Sequence, residues 1–209
     1  VSNVAIKGGA TGTATYTIEA PTGNTDRTLV LPDEAGTVLT SGTAASSIPG
    51  YGNQITAHSQ FRLINTLTAP SGDINVATNF EEVDDALYSG KGSPISLNGV
   101  NFEFDVTGLY LCLLTIQGDG VSDPACIISA EGSSDGGSNY DALAIATYGS
   151  RDSSGEDQTA GSQFIMNVTN TTNFRLKLVA TSFNASSRLA GNTSANYTSI
   201  TFIRLGDSA

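Results

Sequence analysis

The chain has 209 residues, with no Trp, one His, one Met, 23 Gly and only 14% charged residues, and Asp plus Glu outnumber Lys plus Arg by 20 to 9. A net charge of −11 repels nucleic acid phosphates and anionic lipid, so neither is expected as a partner, and the acidic surface reads as a solubility device. No stretch approaches the roughly 18 apolar residues of a membrane span, and Val1-Ser2-Asn3 lacks the basic start and apolar segment of a signal peptide.

Residues 1–48 carry short β-prone pieces at 14–18, 27–31 and 37–40, separated by Pro21-Thr22-Gly23-Asn24 and Pro32-Asp33-Glu34-Ala35-Gly36. Their apolar content is thin. Isolated hairpins of this size are marginal in water, so the segment is expected to pack against copies of itself as a β-rich shaft or neck. A small, polar, Gly- and Pro-marked stretch at 40–52 reads as a linker. The boundary falls within 46–52, giving a segment 1–48 and a domain 49–209. The first residue is Val1, not Met, and the chain is read as a piece of a longer polypeptide.

Residues Arg27-Thr28, Leu31-Pro32-Asp33 and Gly36-Thr37-Val38, taken in that order, resemble a segment of tail fibres and receptor-binding proteins of tailed bacteriophages. The resemblance covers about 30 residues. It implies an intertwined trimeric shaft, a virion location, the rest of a tail fibre as partner, and a host cell-surface polysaccharide or protein as receptor.

Beyond the linker the sequence reads as a succession of strands. The first is 61–68. An acidic cluster, Glu81, Glu82, Asp84 and Asp85, then reads as a solvated loop, with a helical turn as the alternative. Asn98-Gly99 between two apolar pieces signals a type I′ hairpin. Within 101–117, Phe102 and Phe104 alternate with Glu103 and Asp105, the period of a half-wet strand. Thr107-Gly108 interrupts, and the run 109–116 is apolar on both faces. Tyr110, Cys112, Leu114 and Ile116 line one face, and Leu109, Leu111 and Leu113 the other. A strand of this kind must be covered twice. Further strands are expected at 125–130, 140–148, 162–169, 174–182 and 197–205. The fold class is therefore all-β, an antiparallel sandwich or jelly roll.

The run 102–116 and the closing strand 198–206 resemble the jelly rolls of the tumour-necrosis-factor and complement-recognition type. That resemblance implies a homotrimer with Leu109, Leu111 and Leu113 at the threefold interface.

No catalytic constellation emerges, and no enzymatic role is expected. His58 reads as an ordinary surface or interface residue. Cys112 and Cys126 read as buried free thiols; were Gly118-Asp119-Gly120 a hairpin tip, they would face each other across it. The sequons at Asn167, Asn170, Asn184, Asn192 and Asn196 arise from composition. Asp119 and Asp123 in a tight loop offer hard oxygens to calcium, the one candidate cofactor, although a plain hairpin accounts for them as well.

Binding is expected in long loops on a rigid scaffold. In an eight-strand jelly roll, 118–124, 149–161, 183–196 and part of 69–80 fall at the end opposite the shaft. They bring Arg151, Asp152, Glu156, Asp157, Asn184 and Arg188 to a glycan, with Tyr148 and Tyr197 as stacking surfaces. The alternative is a structural trimer without ligand, a virion neck or decoration protein or a spore-surface protein.

Overall fold

The computed structural model describes residues 55, 57–150 and 156–209, leaving aside the side chain at 124. The shaft expected over 1–48, most of the linker, Arg151 and Asp152 lie outside the described residues.

The described chain is almost wholly extended. It forms β1 (His58–Leu63), β2 (Leu67–Thr68), β3 (Gly72–Asp73), a single helical turn α1 (Val76–Asn79), β4 (Phe80–Glu82), β5 (Ile95–Asn98) and β6 (Asn101–Phe104). The long strands come next: β7 (Gly108–Asp119), β8 (Asp123–Ser133), β9 (Asp141–Ser150), β10 (Asp157–Val168) and β11 (Arg175–Thr181). Two more, β12 (Arg188–Leu189) and β13 (Ser199–Gly206), complete the set. They make two antiparallel sheets. In the first, β10, β7, β13, β1 and β4 lie side by side, with β12 and β2 continuing alongside the last residues of β7. In the second, the order is β5, β6, β11, β8, β9, with β3 on β11. The all-β jelly-roll expectation holds for the head.

The stretch 101–117 is two strands, β6 and β7, parted where Thr107-Gly108 interrupts the pattern. The break at Asp105-Val106-Thr107 carries the chain from the second sheet to the first. Phe102 and Phe104 therefore reach the core from the sheet opposite Tyr110, with Phe104 against the Tyr110 ring. With Phe61, Phe80 and Phe202 they form an aromatic core, ring centroids 5.1–6.2 Å apart and mostly edge to face. All six are buried. That geometry adds to the area term, because ring edges and faces carry opposite partial charge.

Several local expectations are corrected. The hairpin between β5 and β6 pairs Asn98 with Asn101, so its two loop residues are Gly99 and Val100, and only Gly99 has positive φ (58°). This is the pattern of a II′ turn with glycine first, not of the I′ turn that Asn98-Gly99 suggests. The expected strand 61–68 ends at Leu63 and resumes at Leu67. β7 and β8 belong to different sheets, so Gly118-Asp119-Gly120 is a crossover and not a hairpin tip, and Cys112 and Cys126 are free, buried thiols.

The acidic cluster is not merely solvated. Glu81, Asp84 and Asp85 each take one nitrogen of Arg62, at 2.7, 2.7 and 2.6 Å. Arg62 stands on the outward side of β1 yet is only 1% exposed, because 81–85 folds over it. Alternation gives the sequence no sign that this outward position is covered.

Candidate functional site

The two outer faces of the sandwich differ in chemistry. Outside the second sheet, Glu103 pairs with Arg175 at 3.1 Å, while Lys177 meets Asp73 at 3.0 Å and Glu131 at 3.5 Å and sits over the Tyr140 ring. Such ladders are at home in water. Outside the first sheet, the outward positions of β10 over 159–167, β7 over 109–117 and β13 over 199–203 bear no charged side chain. Across the middle, Ile165, Leu111 and Ile203 stand in register as one apolar rung. Leu109, Leu111 and Leu113 are half-buried, and Ile165 is 59% exposed. At the neighbouring open border, where β9 and β10 run side by side, Leu143 and Ile145 are also exposed.

The second feature is one end of the sandwich. The chain enters β1 beside the end of β13, where Arg204 N donates to Ala57 O. The opposite end gathers 64–70, 117–124, 148–150, 156–158 and 183–198. Asp123 organises it. Its buried carboxylate accepts from Asn184 N and Ser187 Oγ at 2.8 and 2.7 Å, and from the Cys126 thiol and Ala125 N. Burial pushes the Asp123 acidity constant up, but these donors favour the charged form and together hold it below the ordinary carboxylate value. Asn184 also donates from Nδ2 to Val121 O and accepts at Oδ1 from Ser186 N, Ser187 N and Ser187 Oγ.

Arg188 is the next link. Its Nε and Nη2 both donate to Asp119, which is 4% exposed, whereas Arg188 itself is exposed. Asp157 lies opposite Asp119 in the strand register and adds its field to that of Asp119 at the guanidinium. Beneath them Tyr148 is 5% exposed and donates its hydroxyl to Arg188 O. Gly118 makes this approach fit, since a Cβ there would come within 1.9 Å of Arg188 O and 2.2 Å of the Tyr148 hydroxyl. Ala69, Ser122 and Ser182, in the loops of this end, hold positive φ without being glycine. Such conformations persist where surrounding bonds over-determine them.

The expected site residues thus divide. Arg188, Asp157 and Asn184 meet at this end, and Tyr197, 39% exposed, borders it, with Glu156 exposed next to Asp157. Tyr148 is a buried support rather than a stacking surface, because its hydroxyl and ring are used inside, the ring against Phe183. Asp119 and Asp123, the calcium candidates, have their oxygens engaged by Arg188 and by the 184–187 loop. Among the described residues no group of three or more His, Cys, Asp or Glu side chains could hold a metal ion. The loop expected over 149–161 is largely strand, with β9 running to Ser150 and β10 starting at Asp157. Sequence reasoning missed Thr66 and Gly118, which line a cleft of about 160 Å³ with Asp119, Asp157, Arg188 and Ala190. Neither residue type marks a site without the fold that places it there.

No protein-family model and no curated relative matches the chain. Solved structures do. The Eiger TNF of S. frugiperda aligns with a TM-score of 0.55 at 12% identity, over 75% of this chain and 96% of its own. Murine APRIL at pH 5.0 aligns with 0.49 at 14% identity, over 71% and 99%. The globular domain of zebrafish complement 1qA aligns with 0.48 at 9%, over 73% and 99%. The likeness to the Eiger domain is one of fold, a two-sheet jelly roll of the tumour-necrosis-factor type.

Proposed function

We propose that the chain is a non-enzymatic receptor-binding module of a bacteriophage tail fibre, homotrimeric on the virion, whose head attaches to host cell-surface glycans. The observation that carries the trimer is the charge-free stretch of the first sheet's outer face across β10, β7 and β13, on a protein with a net charge of −11 whose other outer face is laced with ion pairs. An exposed apolar sheet face is where another chain docks. The apolar face and the apolar β9–β10 border are different patches on one protomer, so a contact between them is heterologous, and a rotation of about 120° per copy closes it into a ring of three rather than a filament. Three copies place Leu109, Leu111 and Leu113 at the threefold interface and turn the Asp123–Arg188 ends the same way. Identical weak sites then gain by avidity. The Arg27-Thr28, Leu31-Pro32-Asp33 and Gly36-Thr37-Val38 segment supports the tail-fibre assignment.

The test is adsorption of the fluorescently labelled full chain to a panel of bacterial strains, read by flow cytometry. Saturable binding to some strains is expected, removed when cell-surface polysaccharide is stripped. A trimer that binds no cells while intact particles carrying it do would assign it a structural role instead.

A further inference from the structure

Resting on the receptor-binding reading, we infer that the cleft formed by Thr66, Gly118, Asp119, Asp157, Arg188 and Ala190 holds a single neutral or amino sugar residue of that receptor. Its volume of about 160 Å³ is on the scale of one sugar ring and not of a chain. A wider groove of about 410 Å³, bordered by Thr66, Leu67, Thr68 and Pro70 among others, shares Thr66 with it and gives the rest of a glycan a way out.

The donors are fixed in advance. With Nε and Nη2 turned to Asp119, the Nη1 of Arg188 has no partner among the described residues, and its two N–H groups are held at a set angle by the buried carboxylate. A planar fork locked in this way loses little entropy on binding. Asp157 supplies acceptors beside the Arg188 donors, and Thr66, whose hydroxyl meets Gly191 N and O at 3.3 and 3.5 Å, keeps one lone pair for the cleft, so adjacent sugar hydroxyls, each both donor and acceptor, find partners of both kinds.

Charge narrows the class. One guanidinium against the carboxylates of Asp119 and Asp157 leaves the cleft at 1 − 2 = −1, within a chain of net −11. An acidic sugar would meet repulsion, and a neutral hexose would not. A hexosamine, carrying a cation, would be favoured.

Saturation-transfer NMR on the full chain, with glucose, galactose, mannose, glucosamine and glucuronic acid as probes, tests the inference. At least one neutral hexose or glucosamine should show saturable transfer, and glucuronic acid none. Asp157→Ala, at an exposed position, and Arg188→Lys, which keeps a cation on Asp119 but loses the fork, should each weaken binding about tenfold, the value of one charge-assisted hydrogen bond. Glu103→Gln, on the outer face of the second sheet, should leave it unchanged. No transfer from any probe, preference for glucuronic acid, or binding indifferent to both variants would overturn the inference. Cell adsorption that persists in any of those cases would leave the receptor-binding reading standing, and its absence would remove that as well.

Discussion

Arg62 shows how one side chain can decide a segment. Its guanidinium is buried, but its three carboxylate partners reach solvent to different degrees, Asp84 being 79% exposed and Glu81 32%. Removing the cation leaves three carboxylates crowded together, whereas removing one exposed carboxylate leaves two others to neutralise it. Arg62→Ala should therefore lower stability by about 2 kcal/mol, the scale of losing hydrogen bonds to a charged group, and Asp84→Asn by less than about 1 kcal/mol, as for exposed pairs. Urea denaturation checks both, and equal effects would contradict the asymmetry. Asp135 gives a sharper reading. Asn139, through its side chain and backbone, leads the donors that hold the Asp135 acidity constant at about 2, with Ser133 and Ser138 N also contributing. Because the folded value lies below the unfolded one, its stabilising contribution is present above about pH 4 and is lost as pH falls toward 2. Side-chain NMR titration should show Asn139→Ala moving it upward, and an unmoved value would refute the assignment.

At the scale of elements, most strands were legible because alternation survives wherever one face is wet. β7 was legible down to the residue: Tyr110, Cys112, Leu114 and Ile116 go inward, and Leu109, Leu111 and Leu113 outward. The features that stayed hidden depend on distant chain segments. The cover that 81–85 places over Arg62, the use of Tyr148 as a support and the crossover after β7 all arise from contacts many residues away. The candidate end was legible in outline, since Arg188, Asp157 and Asn184 come from polar stretches between apolar runs. Thr66 and Gly118 were not, because only the strand register sets them beside Arg188. The backbone of this end offers a further test. Ala69 and Ser182 sit at φ 47° and 64°, where an L side chain costs about 1–2 kcal/mol. Glycine removes that cost but adds about 0.5–1 kcal/mol of unfolded-state entropy. Ala69→Gly and Ser182→Gly should each leave a net gain of about 0.5 kcal/mol in chemical denaturation, and a loss would show that the side chain itself holds the turn.

For the whole molecule, the decisive property is the unequal chemistry of the two sheet faces. A face without charge across β10, β7 and β13, next to an exposed apolar border, is a liability for a solitary protein and an asset for a ring. Charge placed on the Ile165–Leu111–Ile203 rung should therefore break the assembly, while charge on the opposite face should not. Sedimentation equilibrium of the full chain and of its Leu111→Glu and Ser96→Lys variants measures this directly, Ser96 being exposed on β5 at the edge of the second sheet away from β9. A trimer has a mass three times the 21.4 kDa of one chain, expected for the unaltered protein and for Ser96→Lys, with a single-chain mass for a still-folded Leu111→Glu. A stable single-chain mass for the unaltered protein would contradict it.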